Sequence, residues 1–422
     1  MAILGCISLI IMFSLLNKIG NKKIALIGLA FFAICPWHIM KSRWGLESNL
    51  FPDLILIFIY LLIKGIEEKK IWFYISFVIA GITAYAYGTS YFFLPAFIIP
   101  LLIILIRKQK INIKEAIIGI SITAIIAMPI ILYVIINTFN LNQINLPFMT
   151  IPRLEINRYE EITSIFSKDF INNSILNLSE GLKILLFQSD NLPWNAIDKY
   201  GIIYKFSIIF TVIGIINGFI KNKFTNIKYN YIFNIAFIVS IILMAICEPN
   251  INRINILWIP IIYYTIVGIY IVLNFDKRMI MPIIILYLLS FSMFEIDYSK
   301  ENFDRYTTFE ADLQDVIEYT SKIEDKKIYI TNEIKEPYIY VLFYTKYNTN
   351  DFINTVKYYN EGQEFEQVKS FGKYCFKNID DIQKPKENVY IINKNNLNKY
   401  IINEDEWNII EFEKYLVIEG IE

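Results

Sequence analysis

The chain has 422 residues, 55% hydrophobic and 16% aromatic, with 40 basic and 40 acidic side chains and a formal net charge of zero. Soluble globular proteins rarely reach so apolar a composition, so a polytopic membrane protein is the first class to test, and the lack of net positive charge argues against a nucleic-acid binder. Four scattered cysteines (Cys6, Cys35, Cys247 and Cys375) form no CxxC or Cys/His cluster, so neither a disulfide scaffold nor a zinc site is indicated.

In chain order, ten apolar stretches approach the length that crosses a bilayer: 1–17, 24–40, 50–64, 71–87, 91–106, 115–136, 202–220, 230–247, 254–273 and 279–294. The third is the shortest. The run from Ile71 to Ile106 is too long for one helix, and Gly88, Thr89 and Ser90 break it near the middle. The first stretch lacks a charged n-region and a small-residue cleavage site, so it reads as a helix and not as a removable leader.

The charges alternate along this series. Lys18, Lys22 and Lys23 fall in one loop; Lys64, Lys69 and Lys70 in the next but one; then Arg107, Lys108, Lys110 and Lys114; Lys221, Lys223 and Lys228; and Lys277 with Arg278. Every second loop carries the basic excess, which makes that side cytoplasmic. The other side receives 35–53, the 88–90 turn, a loop over about 137–200, the loop 248–255 and the tail. By this topology the first helix runs from outside to inside, which implies a preceding helix and loop.

The expected fold is a polytopic α-helical membrane protein of about ten transmembrane helices with a small C-terminal extracytoplasmic α/β or α+β domain. Its parts are an N-terminal bundle (1–136), a long external loop with interfacial helices (137–201), further transmembrane helices (202–295) and an external soluble domain (296–422). The loop is too polar to span and too long to be an idle connector; Ile165–Leu186 has mixed helical spacing. In the tail, 311–325 has helical spacing, while 326–332, 387–394 and 408–420 are rich in β-branched and aromatic residues and read as strands.

The chemistry-bearing residues gather in three external segments. CPWHIMKSRWGLESNL (35–50) holds the single histidine, His38, with Lys41, Arg43 and Glu47. If a helix begins near Ser42, Arg43 and Glu47 share one face. Lys41, Trp37 and Trp44 read as headgroup-level anchors, whereas Asp53, deep in a helix start, should face the bundle interior or a watery cavity. In EPNINRINILWIP (248–260), Arg253 and Asn252 sit at a helix boundary, and the forked donors of arginine suit a phosphate. In TAYAYGTSYFF (83–93), Tyr85, Tyr87 and Tyr91 share one level, as an aromatic belt or as the lining of a sugar site. His38 alone makes no metal site. Arginines at the outer surface suit an amphiphilic anion such as a lipid phosphate or diphosphate.

These segments resemble the bacterial membrane glycosyltransferases of the dolichyl-phosphate-mannose–protein mannosyltransferase type (glycosyltransferase family 39), which have the GT-C fold. The match is carried by PWHIMKSRWGLESNLFPDLILIFIYLLIKGIE, ITAYAYGTSYFFLP and NINRINILWIPIIYYTIVGIYIVL, and by their order along 1–295; the tail resembles the external domain of a Gram-positive subset more loosely. The resemblance implies a multi-pass protein of the cell membrane. It implies a polyprenyl-phosphate sugar as donor, an external protein, lipid or wall polymer as acceptor, and no nucleic acid. It leaves a divalent metal open. Transfer would be inverting, with a carboxylate as base and positive charge for the leaving phosphate. Carried over residue by residue, Arg43 and Arg253 would hold the phosphate, Glu47 would face the donor sugar or act as a secondary catalytic acid/base group, and His38, Tyr85, Tyr87 and Asn252 would line the site. Asp190 and Asp198, flanking Trp194, would offer acceptor contacts. The family's main acidic residue lies in a loop between its first two helices. The chain begins at what corresponds to the second helix, which implies a shortened form, active or descended from an active enzyme. Two other classes fit less well. A cell-envelope polysaccharide polymerase or ligase would also carry a long external loop with arginines. A transporter or scaffold should show mid-membrane charges or inverted repeats.

Overall fold

The computed structural model describes residues 1–154, 169–220, 225–300, 310, 312–361, 366–379, 382, 388–400, 402 and 406–421. Most of the polar run 152–170, the start of the stretch read from Ile165, and Lys221 and Lys223 lie outside the described residues. Two compact units are present: Met1–Arg153 with Asn157–Lys300, and Glu301–Glu422 with Leu154–Ile156.

The first unit is helical. Its helices are α1 (Ala2–Ile19), α2 (Lys22–Ile34), α3 (Pro36–Arg43), α4 (Leu50–Glu67), α5 (Lys70–Thr83), α6 (Ser90–Arg107), α7 (Ile113–Ile126), α8 (Met128–Thr138), α9 (Phe170–Phe187), α10 (Ile208–Phe219), α11 (Asn230–Ile246), α12 (Trp258–Phe275) and α13 (Ile280–Ser299). A two-stranded hairpin, β1 (Ile144–Leu146) and β2 (Met149–Ile151), follows α8. Each of the ten apolar stretches holds a helix, but they are not equal. Five segments are long and apolar enough to cross a membrane: 2–19, 47–67, 90–107, 255–275 and 277–299. The pairs α2–α3 and α7–α8 bring the number to seven if each bent pair is one span, and α5, Lys205–Phe219 and α11 are shorter.

Both bends sit at proline. α2 and α3 meet at 55°, and α7 and α8 at 70°. Pro36 and Pro129 lack the N–H that would continue the ladder, and their rings crowd the preceding turn. The residue before a proline avoids the α region, and Cys35 is accordingly extended (φ −67°, ψ 123°). So the stretch read as one helix over 24–40 is two. The stretch 50–64, read as the shortest, is instead a full 18-residue helix opened by a 3-10 turn at Glu47–Asn49.

α12 is the centre of the unit, with 83% of its span buried against 17% for the span containing α13. Lipid is as apolar as leucine, so burial in a bilayer rests on close packing and interhelical hydrogen bonds. α10 and α12 use both. A Cβ at Gly214 would strike the backbone oxygen of Tyr264, and one at Gly268 would strike that of Phe210, so each glycine lets the other backbone approach. Between them Thr211 and Thr265 join hydroxyls at 2.7 Å. Near the other end of α10, Asn230 and Asn234 of α11 donate to the Gly218 carbonyl and accept from Tyr263 and Tyr264.

The second unit holds α14 (Leu313–Ser321), α15 (Pro337–Thr345) and α16 (Thr349–Thr355). With them are strands β3 (Lys327–Thr331), β4 (Lys357–Tyr358), β5 (Val368–Phe371), β6 (Tyr374–Lys377), β7 (Asn388–Asn393), β8 (Trp407–Glu411) and β9 (Tyr415–Gly420). The seven strands form one mixed sheet, in the order β4-β5-β6-β3-β7-β9-β8, with β3 parallel to β6 and β7. The stretch 408–420, read as one strand, is the antiparallel pair β8 and β9. β7 reads NVYIIN without polar alternation because both faces are covered: Val389 and Ile391 lie in one apolar cluster, Tyr390 and Ile392 in another. Gly372 (φ +48°) makes the tight β5–β6 turn.

Candidate functional site

The segment Cys35–Asp53 folds back on itself. α3 ends at Arg43, Trp44 and Leu46 are extended, and the 3-10 turn begins at Glu47. Arg43 and Glu47 therefore do not share a helical face: the break lies between them. Both are exposed. Lys41 does not sit among headgroups; it is 4% exposed, and its Nζ donates to Asp53 Oδ2 at 2.6 Å. The pair ties α3 to the first turn of α4 across the break, with the Lys41 ammonium also 5.1 Å from the Trp37 ring. Asp53 Oδ1 is buried and has no hydrogen-bond partner among the described residues. His38 is buried, its Nε2 3.0 Å from Ser8 Oγ and its ring 4.0 Å from that of Phe32.

The segment is held from the other half of the unit. Trp37 Nε1 donates to Asn255 Oδ1 (2.8 Å), and Asn255 Nδ2 donates to the Ser48 carbonyl and to Asn49 Oδ1. The Trp37 backbone N–H, freed by the break before α3, donates to the Ile202 carbonyl (3.0 Å). Tyr204 Oη donates to the carbonyl of Ile34. Asn255 thus satisfies the Trp37 side chain before the 44–46 break and the Ser48 backbone and Asn49 side chain after it, a role the sequence reading missed; the asparagine run 250–255 was its available signal.

The other candidate residues are engaged as follows. Arg253 pairs with Glu248 at 2.6 Å and also donates to the Glu248 carbonyl. Asn252 donates to Asn195 Oδ1 (2.7 Å), and Asn195 donates to Asp190 Oδ2 (2.6 Å), which also accepts from the Ile251 N–H. Asp190 Oδ1 accepts from the Leu192 N–H. Asp190 Oδ2 thus joins loop 188–195 to loop 250–252, while Oδ1 closes a turn within the first loop. Burial raises this carboxyl above its ordinary value of 3.8, against the pull of those donors. Asp198 accepts from Ser189. Tyr85, 50% exposed, donates to the Ile126 carbonyl (2.8 Å) at the α7–α8 bend, and Tyr87 is half-buried.

Segments 35–53 and 248–255 therefore lie together at one end of the bundle. The first turn of α6, which follows the 84–89 turn, adjoins segment 35–53 through Phe51 and Phe93, whose rings are 5.5 Å apart edge to face. Arg43 and Arg253 have different partners. The Arg43 guanidinium stands 4.9 Å over the Tyr298 ring at the end of α13 and pairs with no carboxylate among the described residues. Of Lys41, Arg43 and Arg253, only Arg43 keeps its charge unneutralised within the described residues. Beside the 84–89 turn, an apolar cleft of about 380 Å³ opens between α6, α7 and α8, lined by Tyr91, Leu94, Ile98, Ala127, Ile131 and Val134 among others. No group of three or more His, Cys, Asp or Glu side chains able to hold a metal occurs among the described residues.

A search of curated proteins returned no match to the chain. Residues 1–136, which contain the bent α2–α3 pair, Arg43, Glu47 and the Lys41–Asp53 pair, match the family model described as dolichyl-phosphate-mannose-protein mannosyltransferase, in agreement with the resemblance read from the sequence to a membrane glycosyltransferase of the mannosyltransferase type.

Proposed function

We propose that the chain transfers a sugar from a polyprenyl-phosphate carrier to an acceptor hydroxyl on the extracytoplasmic side of the cell membrane. The observation that carries this is the exposed Arg43 guanidinium, unpaired among the described residues, on a segment within the family match. In this reading all ten apolar helical segments cross the bilayer, and the second unit is extracytoplasmic.

Arg43 grips the donor phosphate with its fork of donors, Tyr298 backing the guanidinium plane. The acceptor oxygen bonds to the anomeric carbon, the bond from that carbon to the phosphate oxygen breaks, and polyprenyl phosphate leaves with the electron pair. The acceptor proton passes to a carboxylate, the role assigned to Glu47. His38, Tyr85, Tyr87 and Asn252 are assigned to the surroundings. Arg253, neutralised by Glu248, is placed beside the phosphate as a secondary contact, and the apolar cleft beside Tyr91 takes part of the polyprenyl chain.

The test is transfer from a polyprenyl-phosphate mannose donor by the purified chain in lipid nanodiscs, comparing Arg43→Ala, Arg43→Lys and Arg253→Ala. Losing a charged hydrogen bond to phosphate costs about 1.5–3 kcal/mol, so Arg43→Ala should lower kcat/KM by roughly 10- to 100-fold, and Arg253→Ala should lower it less. Equal activity of Arg43→Ala and the unaltered protein would overturn the assignment.

A further inference from the structure

We propose that α15 of the second unit docks on a lipid surface through an aromatic face that the unit itself leaves uncovered. α15 turns Val341 into the core and leaves Ile339 and Phe343, four residues apart, 50% and 74% exposed. Tyr340 and Tyr344 flank them, half-buried, with stacked rings 6.4 Å apart, and the Phe343 ring meets Tyr344 edge to face at 5.3 Å. Ile353 of α16 is 63% exposed. Of the five large apolar side chains exposed on the described part of this unit, these three are the most exposed, ahead of Tyr359 and Ile421, and an exposed apolar face marks a docking surface.

Composition and connection argue for a bilayer as the occupant. Tyrosines with one apolar body and one polar tip are the side chains that collect at membrane–water interfaces. Exposed Lys335 and Lys346 bracket α15 and suit anionic headgroups. The unit begins at Glu301, directly after α13, and its first described helix starts at Leu313. Even a fully extended connection from Ser299, at about 3.4 Å per residue, puts Leu313 at most about 50 Å from the end of α13. This step rests on α13 crossing the membrane. At that distance a partly apolar, tyrosine-rich helix meets lipid at high effective concentration.

The test uses the full-length chain in vesicles of phosphatidylcholine and phosphatidylglycerol, with the four native cysteines replaced by alanine. Single-cysteine variants Phe343→Cys, Leu288→Cys in α13 and Asn408→Cys on β8, the opposite sheet edge, each carry an environment-sensitive fluorophore. Docking predicts blue-shifted emission at 343 that shallow spin-labelled lipid quenches, deep-lipid quenching at 288, and water-like emission at 408. Water-like emission at 343 with lipid quenching at 288 overturns the docking while leaving the membrane reading intact. A blue shift at 343 without lipid quenching means that protein covers the face and also overturns it. Failure of quenching at 288 removes the span on which the proposal rests.

Discussion

Single residues decide how the break at 44–46 is held. Lys41 and Asp53 are both nearly solvent-free, and removing one partner of such a pair leaves an uncompensated buried charge. Lys41→Met or Asp53→Leu alone should destabilise the chain by about 3–5 kcal/mol, and the double variant should recover most of the loss; thermal unfolding in detergent checks both. Asp190 gives a pH signature. Its folded carboxyl titrates above 3.8, so the folded chain holds that proton more tightly than the unfolded one. Its contribution to stability is therefore greatest below the unfolded value and is lost as pH rises through the raised folded value. The Tm of Asp190→Asn should accordingly gain on that of the unaltered chain between about pH 4 and pH 7. Here the sequence was partly legible. Asp53 announced itself as a charge deep in a helix start. Its partner was hidden because twelve positions and a helix break separate the two, and spacing rules act only within one helix. The same break undoes the Arg43–Glu47 spacing of four.

At the scale of elements, hydropathy finds apolar stretches but is blind to direction. The split between α5 and α6 was visible because small polar residues interrupt the run. The bends at Pro36 and Pro129 were not, because a window average registers apolar content and ignores a missing N–H. The glycines are a different case: nothing in a single sequence distinguishes one that meets a carbonyl from one that faces lipid. Gly268→Leu and Gly214→Leu should each force α10 from α12, costing at least the 1–3 kcal/mol typical of overpacking, whereas Gly45→Leu, with open space around it, should be nearly silent in the same melting experiment.

For the whole molecule, the alternation of basic loops predicts that a cysteine placed at Lys64 and one placed at Asn408 react with a membrane-impermeant reagent from opposite sides. Reaction of both from one side would break the ten-span topology. The residues matched to the family stop at 136, yet Trp37, Cys35 and Ile34 take their hydrogen-bond partners from Asn255, Ile202 and Tyr204. The matched third is therefore not a detachable module that recombination could pass intact to another chain. A lineage that altered Trp37 would strand the Asn255 amide oxygen, and one that lost Asn255 would strand the carbonyl of Ser48, so inheritance must carry these distant positions together.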